Sequence, residues 1–139
     1  HRGAEEIRPF SDSPSVLYRE FYMNKRELGS RYEEAAARFL ESRGYEIIER
    51  NYRCRQGEID LIAKEGEYLV FVEVKYRSGD NRGGSIEAVT PQKQRRISKA
   101  ALHYLMQKQY REDVPCRFDV VGVDGRKITL LRNAFDYCR

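Results

Sequence analysis

Acidic side chains alternate with apolar ones in two neighbouring segments of this chain, and the second segment ends in a lysine. The segments are Gly57-Glu58-Ile59-Asp60-Leu61-Ile62-Ala63 and Tyr68-Leu69-Val70-Phe71-Val72-Glu73-Val74-Lys75. Side chains two residues apart on a strand share a face, so Glu58 is expected to project with Asp60. Glu73 is likewise expected to project with Lys75. If the two strands pair, the acids converge beside a lysine, which predicts a divalent-metal site that acts on a phosphodiester.

The predicted metal ligands are Asp60 and Glu73. Two ionised carboxylates on neighbouring strands repel each other unless a cation lies between them. Mg²⁺ typically takes one or two carboxylates together with waters and substrate phosphates, so we expect Mg²⁺, with Mn²⁺ as a substitute. The ion would polarise the phosphate and lower the pKa of a bound water. Lys75 would orient or help deprotonate that water and stabilise the developing negative charge.

Two further acids are candidates for the same site. Glu33 lies at the edge of the apolar stripe of a predicted helix and faces the sheet, so it is placed to close the site directly or through a metal-bound water. Glu58 is expected to take a peripheral position. A Glu-X-Lys pair on its own is more often a cross-strand ion pair. Here both acids interrupt strands that are otherwise apolar, where an uncompensated charge costs several kcal/mol, and this context favours the metal site.

The elements that must position these residues follow the order α-β-β-β-α-β-β. A helix over about 25–43 ends at Gly44, and strands follow at 45–53, 58–63 and 68–75, with a four-residue hairpin connection at 64–67. A polar loop over 76–90 leads to a helix capped by Thr90 and started by Pro91. That helix is expected to run to about Tyr110, and strands at 117–123 and 127–131 complete an α/β domain.

Basic residues cluster in the loop and helix that follow Lys75, and they predict a surface for nucleic-acid phosphates. Backbone amides at the start of the helix also favour an anion. The alternative is a solvated basic face without a ligand. The predicted contact residues are Arg77, Arg82, Lys93, Arg95, Arg96 and Lys99.

Bulk properties set the class of protein. The chain has 139 residues and a net charge of +4, which suits one domain and is compatible with a nucleic-acid partner. We expect residues 1–22 to form a poorly ordered arm or leader and residues 23–139 to form the domain.

No apolar run approaches the ~20 residues needed to cross a bilayer, so no membrane partner is predicted. Cys54, Cys116 and Cys138 are too scattered for a disulfide framework or zinc site, which favours a reducing cytoplasm.

The aromatic residues and the histidine receive mostly structural roles. Tyr52 and Tyr76 remain candidates to approach a substrate. His103 has no partner spacing and is predicted to lie on the helix surface. The tyrosines at core-type positions are Tyr32, Tyr45, Tyr68 and Tyr104.

The chain resembles the YraN family, small bacterial proteins similar to Holliday junction resolvases in the PD-(D/E)XK nuclease superfamily. The resemblance implies a restriction-endonuclease-like core, in which a mixed central sheet of about five strands is flanked by helices. The superfamily pattern falls on Glu33, Asp60, Glu73 and Lys75. Tyr32 is a departure, because glycine is expected before the helix glutamate. The matching pieces, within about residues 24–135, are Leu28-Gly29, Glu33, Ala36, Phe39-Leu40, Gly44-Tyr45, Asn51-Tyr52-Arg53, Gly57 to Ile62, Phe71 to Lys75, and Ala88-Val89-Thr90-Pro91 with Lys93 and Arg95.

These observations lead to a principal functional hypothesis and two alternatives. The first is a Mg²⁺-dependent endonuclease that acts on DNA, including branched or structured DNA, with RNA as the alternative substrate. The second is a non-catalytic nucleic-acid-binding protein that retains the nuclease fold. The third is a toxin-like or restriction-type nuclease that carries this domain. Junction-resolving relatives act as dimers, so the resemblance also implies a homodimer.

Overall fold

One mixed β-sheet with a helix packed on each face forms the framework of the protein. The structure is a computed structural model that describes residues 4–7, 25–77, 89–125 and 127–138. The helices are α1 (Lys25–Ser42) and α2 (Pro91–Gln107). The strands are β1 (Ala4–Ile7), β2 (Glu46–Cys54), β3 (Gly57–Glu65), β4 (Tyr68–Arg77), β5 (Cys116–Asp124) and β6 (Lys127–Phe135). The predicted α/β class, the five strands in a mixed sheet and the element order α-β-β-β-α-β-β are confirmed.

An additional edge strand, β1, extends this sheet. The strand order is β1-β6-β5-β4-β3-β2, and β1 pairs antiparallel with β6. The sequence predicted no strand there, because four residues within a segment rich in proline and serine carry no sustained alternation. The remainder of the predicted arm, residues 1–3 and 8–22, lies outside the described residues.

The central pair of strands, β4 and β5, is parallel, whereas the other described pairs are antiparallel. A parallel pair needs a crossover connection, and α2 lies within that connection. The β3–β4 hairpin is tighter than the four-residue connection predicted at 64–67. Its strands pair as far as Glu65 and Tyr68, and Gly66 takes the left-handed φ of 60° that the short turn requires.

The core has one layer on each side of the sheet. Strand β4 is buried on both faces, which is the pattern predicted for a central strand. Val70 and Val72 pack in the layer that contains α1, while Leu69 and Phe71 pack in the layer that contains α2. The helices contribute Tyr32, Ala36 and Leu40 from α1, and Ile97, Ala100 and Tyr104 from α2.

The start of α2 is fixed both by its cap and by a close approach to β3. The backbone N–H of Lys93 donates to Thr90 Oγ1 at 3.1 Å, and Pro91 occupies the first turn, so the predicted cap is confirmed. A Cβ atom at Gly57 would lie 2.9 Å from the backbone oxygen of Arg96. Only glycine therefore allows the helix backbone to lie this close to the first residue of β3.

A buried polar network stabilises the α1 side of the sheet. Asp119 has no exposed surface, and its carboxylate accepts hydrogen bonds from Tyr45 Oη at 2.7 Å and Arg117 Nε at 2.9 Å. Arg117 also donates to Glu65 at 2.5 Å. The buried charge of Asp119 is thus paired and hydrogen-bonded, which is the condition under which a buried carboxylate is tolerated.

Candidate active site

The candidate site lies where β3 and β4 separate. The pairing of these strands runs from Glu65–Tyr68 to Leu61–Val72, so Asp60 and Glu73 are the next residues beyond its end. Asp60 Oδ2 accepts a hydrogen bond from the backbone N–H of Val74 at 2.8 Å. The negative charge of Glu73 acts directly on the Asp60 carboxyl group and raises its pKa, after the larger effect of burial. The structure therefore brings together the two acids that the sequence analysis selected as metal ligands.

A kink in β2 and β3 sets the position of Asp60. Arg50 pairs with Leu61 and Tyr52 pairs with Ile59, which places Asn51 opposite Asp60. Asn51 has a left-handed φ of 52°. Across this point Ile59 packs in the α2-side layer while Leu61 packs in the α1-side layer, although residues two apart normally share a face. Asp60 thus lies where the two faces exchange.

The position of Glu58 differs from the simple alternation used in the sequence analysis. Because the faces exchange at Asp60, the shared face expected for Glu58 and Asp60 does not extend through the kink. Glu58 is more than half exposed and forms an ion pair with Arg53 at 3.0 Å. The negative charge of Glu58 raises the pKa of Glu33, so Glu58 belongs to the periphery of the acidic cluster.

The acidic cluster carries more negative charge than its surroundings stabilise. Burial, followed by the charge of Glu73, raises the pKa of Asp60 to about 8, although the Val74 N–H acts in the opposite direction. Burial also raises the pKa of Glu33, followed by the charge of Glu58, while a hydrogen bond from Asn51 lowers it. The cluster consequently favours either a bound proton or an added cation.

Two lysines lie on the elements that bound the cluster. Lys93, from the first turn of α2, forms an ion pair with Glu73, with Nζ to Oε2 at 2.5 Å. Burial opposes its charge, but the hydrogen bond and the charge of Glu73 raise the pKa of Lys93. Lys75 is partly buried on β4, and its neighbour in the parallel register is Gly122, which has no side chain to occupy the adjacent space.

The donor set at this site is suited to an ion that shares its coordination with a substrate. Among residues 27–76, 89–125 and 127–138, no three His, Cys, Asp or Glu side chains are arranged to hold a metal on their own. Asp60 and Glu73 instead supply two neighbouring carboxylates, and Glu33 is within electrostatic reach of Asp60. Mg²⁺ commonly uses one or two carboxylates and takes its other ligands from water and phosphate, so these residues fit Mg²⁺.

Two clefts flank the acidic residues, and the clefts differ in the charged side chains that line them. The cleft between α2 and the β2–β3 turn has a volume of about 550 Å³ and is lined by Arg53, Lys93 and Arg96 together with Glu58. The cleft beside α1 has a volume of about 520 Å³. Its charged lining residues are Glu27, Arg31, Glu33, Glu34 and Arg50. The cleft beside α2 is therefore the more suitable of the two for phosphates.

Two of the six predicted basic residues line the first of these clefts. Lys93 and Arg96 line it, and Arg95 and Lys99 are exposed on α2. Arg77 is described only as the last residue of β4, and Arg82 lies outside the described residues. The sequence analysis did not predict Arg53 in this cleft, because nothing in the sequence of β2 indicated that the end of this strand lies beside α2.

The tyrosines predicted to be in the core, and His103, lie where the sequence places them, with one exception. Tyr32, Tyr45 and Tyr104 are buried as predicted, but Tyr68 is 41% exposed and was wrongly assigned to the core. Tyr68 starts β4 at the hairpin turn, and Arg117 covers its ring at 5.2 Å. His103 is exposed on α2, as predicted, and its Nδ1 contacts Tyr52 Oη at 2.5 Å. The Tyr52 hydroxyl also donates to Gln107 Oε1 at 3.0 Å.

These contacts also change the roles expected for Tyr52 and Tyr76. Tyr52 is buried and joins β2 to α2, so its ring is not available for stacking on a base. Tyr76 is 41% exposed and stacks on Tyr32, with ring centroids 4.9 Å apart. Tyr32, which replaces the glycine expected before Glu33, thus packs between the core and Tyr76.

The fold and the acid cluster define an α/β protein in which two carboxylates from neighbouring strands meet where those strands separate. Residues 32–123 match the model of the uncharacterised protein family UPF0102, and the chain belongs to that family, which confirms the YraN resemblance. It is 53% identical over 114 residues to a UPF0102 protein of Lachnoclostridium phytofermentans, covering 82% of this chain and 97% of the relative. A UPF0102 protein of Legionella pneumophila strain Philadelphia 1 is 46% identical over 112 residues, covering 79% and 95% of the two chains. Within the described residues, neither helix is long and apolar enough to span a membrane.

Proposed function

We propose that the protein is a metal-dependent endonuclease that hydrolyses phosphodiester bonds in DNA, including branched or structured DNA. The observation that carries this proposal is the placement of Asp60 and Glu73 side by side at the point where β3 and β4 separate, with Asp60 Oδ2 held by the Val74 N–H. Two carboxylates in this position destabilise each other when both are ionised. A divalent cation removes that conflict, and it is the ligand class that the pair suits best.

Different residues of the chain would bind the metal ion and orient the attacking water. Asp60 and Glu73 would hold Mg²⁺, or Mn²⁺ in its place, and Glu33 would complete the site from α1. The ion, when bound, supplies Lewis-acid polarisation of the scissile phosphate. Lys75 lies two residues beyond Glu73 on the same strand, where its ammonium group can orient the attacking water and stabilise negative charge on the phosphate.

The cleft beside α2 supports a nucleic-acid substrate. Its lining includes Arg53, Lys93 and Arg96, and Arg95 and Lys99 extend the positive surface along the helix. Side chains of this type bind phosphates independently of sequence. In the reaction the water oxygen bonds to phosphorus, the bond to one ester oxygen breaks, and that oxygen leaves with a proton.

Cleavage assays on the full chain test this proposal. The substrates are linear duplex, single-stranded and four-way branched DNA with matching RNA, each with Mg²⁺, Mn²⁺ or chelator. We expect metal-dependent cleavage by the wild type, and its loss in Asp60→Asn and Glu73→Gln. Glu67→Gln is the matched control, because Glu67 is an exposed acid in the hairpin turn. Absence of cleavage under every condition would reject the nuclease proposal.

A non-catalytic nucleic-acid-binding protein is the second candidate, and one observation favours it. The ion pair between Lys93 and Glu73 already neutralises the buried acid of the pair without a metal. If this is the permanent state, the basic cleft would bind nucleic acid and the acids would have no catalytic role. Binding without cleavage, unchanged by Asp60→Asn, is the expected result for this alternative. A homodimer remains a further proposal, and sedimentation equilibrium of the full chain tests it.

A further inference from the structure

We propose that Lys93 is an exchangeable counter-ion, which neutralises Glu73 in the metal-free protein and moves to a substrate phosphate when a divalent ion binds. This inference rests on the proposed function only in taking Asp60 and Glu73 as the metal ligands. It does not require turnover. It assigns to one side chain two successive partners, an acid of the site and a phosphate of the nucleic acid.

The two side chains of this ion pair differ strongly in the fraction that is exposed to solvent. The Glu73 side chain is only 7% exposed, whereas the Lys93 side chain is 55% exposed. Glu73 is held in a strand and is surrounded by the sheet, so it cannot follow a departing partner. Lys93 is attached to the first turn of a helix through a flexible four-carbon stem, so Lys93 is the member of the pair that can move.

The cleft beside α2 provides a destination for the released ammonium group. Lys93 lines this cleft together with Arg53 and Arg96. A change of the Lys93 side-chain rotamer would take Nζ from Glu73 into the cleft, while the Thr90 cap holds the backbone of the first helical turn. The positive charge lost from the acids is then gained by the phosphate-binding surface.

Competition for Glu73 makes metal binding and phosphate binding reinforce each other. A divalent ion must displace Lys93 from Glu73, which lowers the affinity for the metal. Once displaced, Lys93 adds a cation to the cleft, so nucleic acid should bind more tightly to the metal-loaded protein. By linkage, nucleic acid should raise the affinity for the metal by the same factor.

The first experiment measures Mn²⁺ affinity by electron paramagnetic resonance of the full chain. Lys93→Met retains the length of the stem and removes the charge. We expect Lys93→Met to bind Mn²⁺ about two- to fivefold more tightly than the wild type, the upper part of the range for an exposed ion pair. Lys64→Met is the matched control, because Lys64 is an exposed lysine at the hairpin end of β3, outside the site and the cleft. We expect a change below about twofold there, since solvent screens its charge.

The other results of this experiment overturn the inference. If Lys93→Met binds Mn²⁺ equally or less tightly, Lys93 does not compete with the metal. If neither protein binds Mn²⁺, no exchange occurs at these acids. Mn²⁺ binding with the expected increase but without cleavage of any substrate would reject the nuclease proposal and leave this inference standing.

A second measurement uses the unmodified side chain and does not depend on the folding of Lys93→Met. Lysine residues labelled with ¹³C at Cε are observed by NMR during a Mg²⁺ titration, and Lys93→Arg identifies the Lys93 signal. We expect this signal to move until Mg²⁺ saturates the site and then to move again when a DNA oligonucleotide is added. A Lys93 signal that stays unchanged at saturating Mg²⁺ would contradict the exchange.

Discussion

Asn51 lies opposite Asp60 in the register of β2 and β3, and it adopts a left-handed backbone conformation with φ of 52°. At this kink the side chains of β3 change sides: Ile59 packs on the α2 side of the sheet, whereas Leu61 packs on the α1 side. The kink leaves the Asp60 carboxylate free to accept the Val74 N–H where ladder pairing with β4 has ended. An asparagine on the neighbouring strand thus sets the position of the central acid of the site.

Substitution of Asn51 tests this relationship. Asn51→Ala should lower the free energy of unfolding by about 1–2 kcal/mol, because a Cβ atom without a local polar partner disfavours the left-handed region. Asn51→Gly should cost less in the backbone, since glycine adopts this conformation freely. Urea denaturation measures both values. Equal losses in the two variants would show that the side chain, and not its backbone conformation, carries the effect.

The stability of the metal-free protein should depend on pH through Asp60. The folded pKa of about 8 lies above the ordinary value of 3.8, so the folded state holds a proton that the unfolded state releases. The contribution of this group is therefore most favourable below about pH 4 and is lost as pH rises toward 8, by at most about 1.36 kcal/mol per pH unit. Asp60→Asn should remove this loss. Denaturation of both proteins across this pH range, without metal, measures the difference, and parallel curves would contradict it.

Lys75 should affect the chemical step more than substrate binding. Lys75→Met is expected to lower kcat by about 10²–10⁴-fold, the usual range for a group that assists proton transfer. KM should change little, because the basic cleft is unaltered. Lys127→Met serves as a control on an exposed residue of β6. Single-turnover cleavage with saturating Mg²⁺ separates the two parameters, and a change confined to KM would assign Lys75 to binding.

Arg96 and Lys99 should contribute to salt-dependent binding of nucleic acid. If each neutralises one duplex phosphate, each alanine substitution should reduce the slope of log affinity against log salt by about 0.9. The loss should be similar for unrelated sequences, because phosphate contacts carry no sequence information. Fluorescence anisotropy with a catalytically inactive variant gives the slopes. Lys108→Ala, beyond the end of α2, is the control that should leave the slope unchanged.

The Tyr45–Asp119 hydrogen bond should matter for stability and not for metal binding. Tyr45→Phe leaves the buried Asp119 with one donor fewer, at an expected cost of about 1–3 kcal/mol. The network lies beside Glu65, at the hairpin end of β3, whereas Asp60 lies toward the other end. Thermal unfolding with and without Mn²⁺ measures both properties. A large loss of Mn²⁺ affinity would contradict the separation of the two regions.

The sequence was sufficient for features that depend on local periodicity. The helices, five strands, the Thr90 cap and the proximity of Asp60 to Glu73 all follow from alternation, helical spacing and a short hairpin. It was insufficient for features that depend on three-dimensional approach. The Lys93–Glu73 ion pair joins a helix to a strand across the sheet, and the contact of Tyr52 with His103 spans 51 positions. The spacing of residues along the chain does not indicate either of these contacts.

Two kinds of error came from treating strands as regular. Asn51 interrupts the alternation that placed Glu58 with Asp60, and asparagine in a strand does not by itself indicate a kink. Tyr68 was assigned to the core because it begins an apolar strand, but its position at the turn exposes it. Both errors arise where the backbone departs from an extended strand, which residue type alone does not reveal.

The parallel pairing of β4 with β5 has a consequence for how the protein is assembled during folding. The strands β2, β3 and β4 are connected by short turns, so contacts within this meander form over small sequence separations. The β4–β5 pair closes only after the chain has passed through α2, and such non-local pairings form slowly. We therefore expect the carboxylate pair to assemble early, while the basic helix docks late. A nascent chain would acquire its acidic residues in place before it acquires the surface that brings nucleic acid to them.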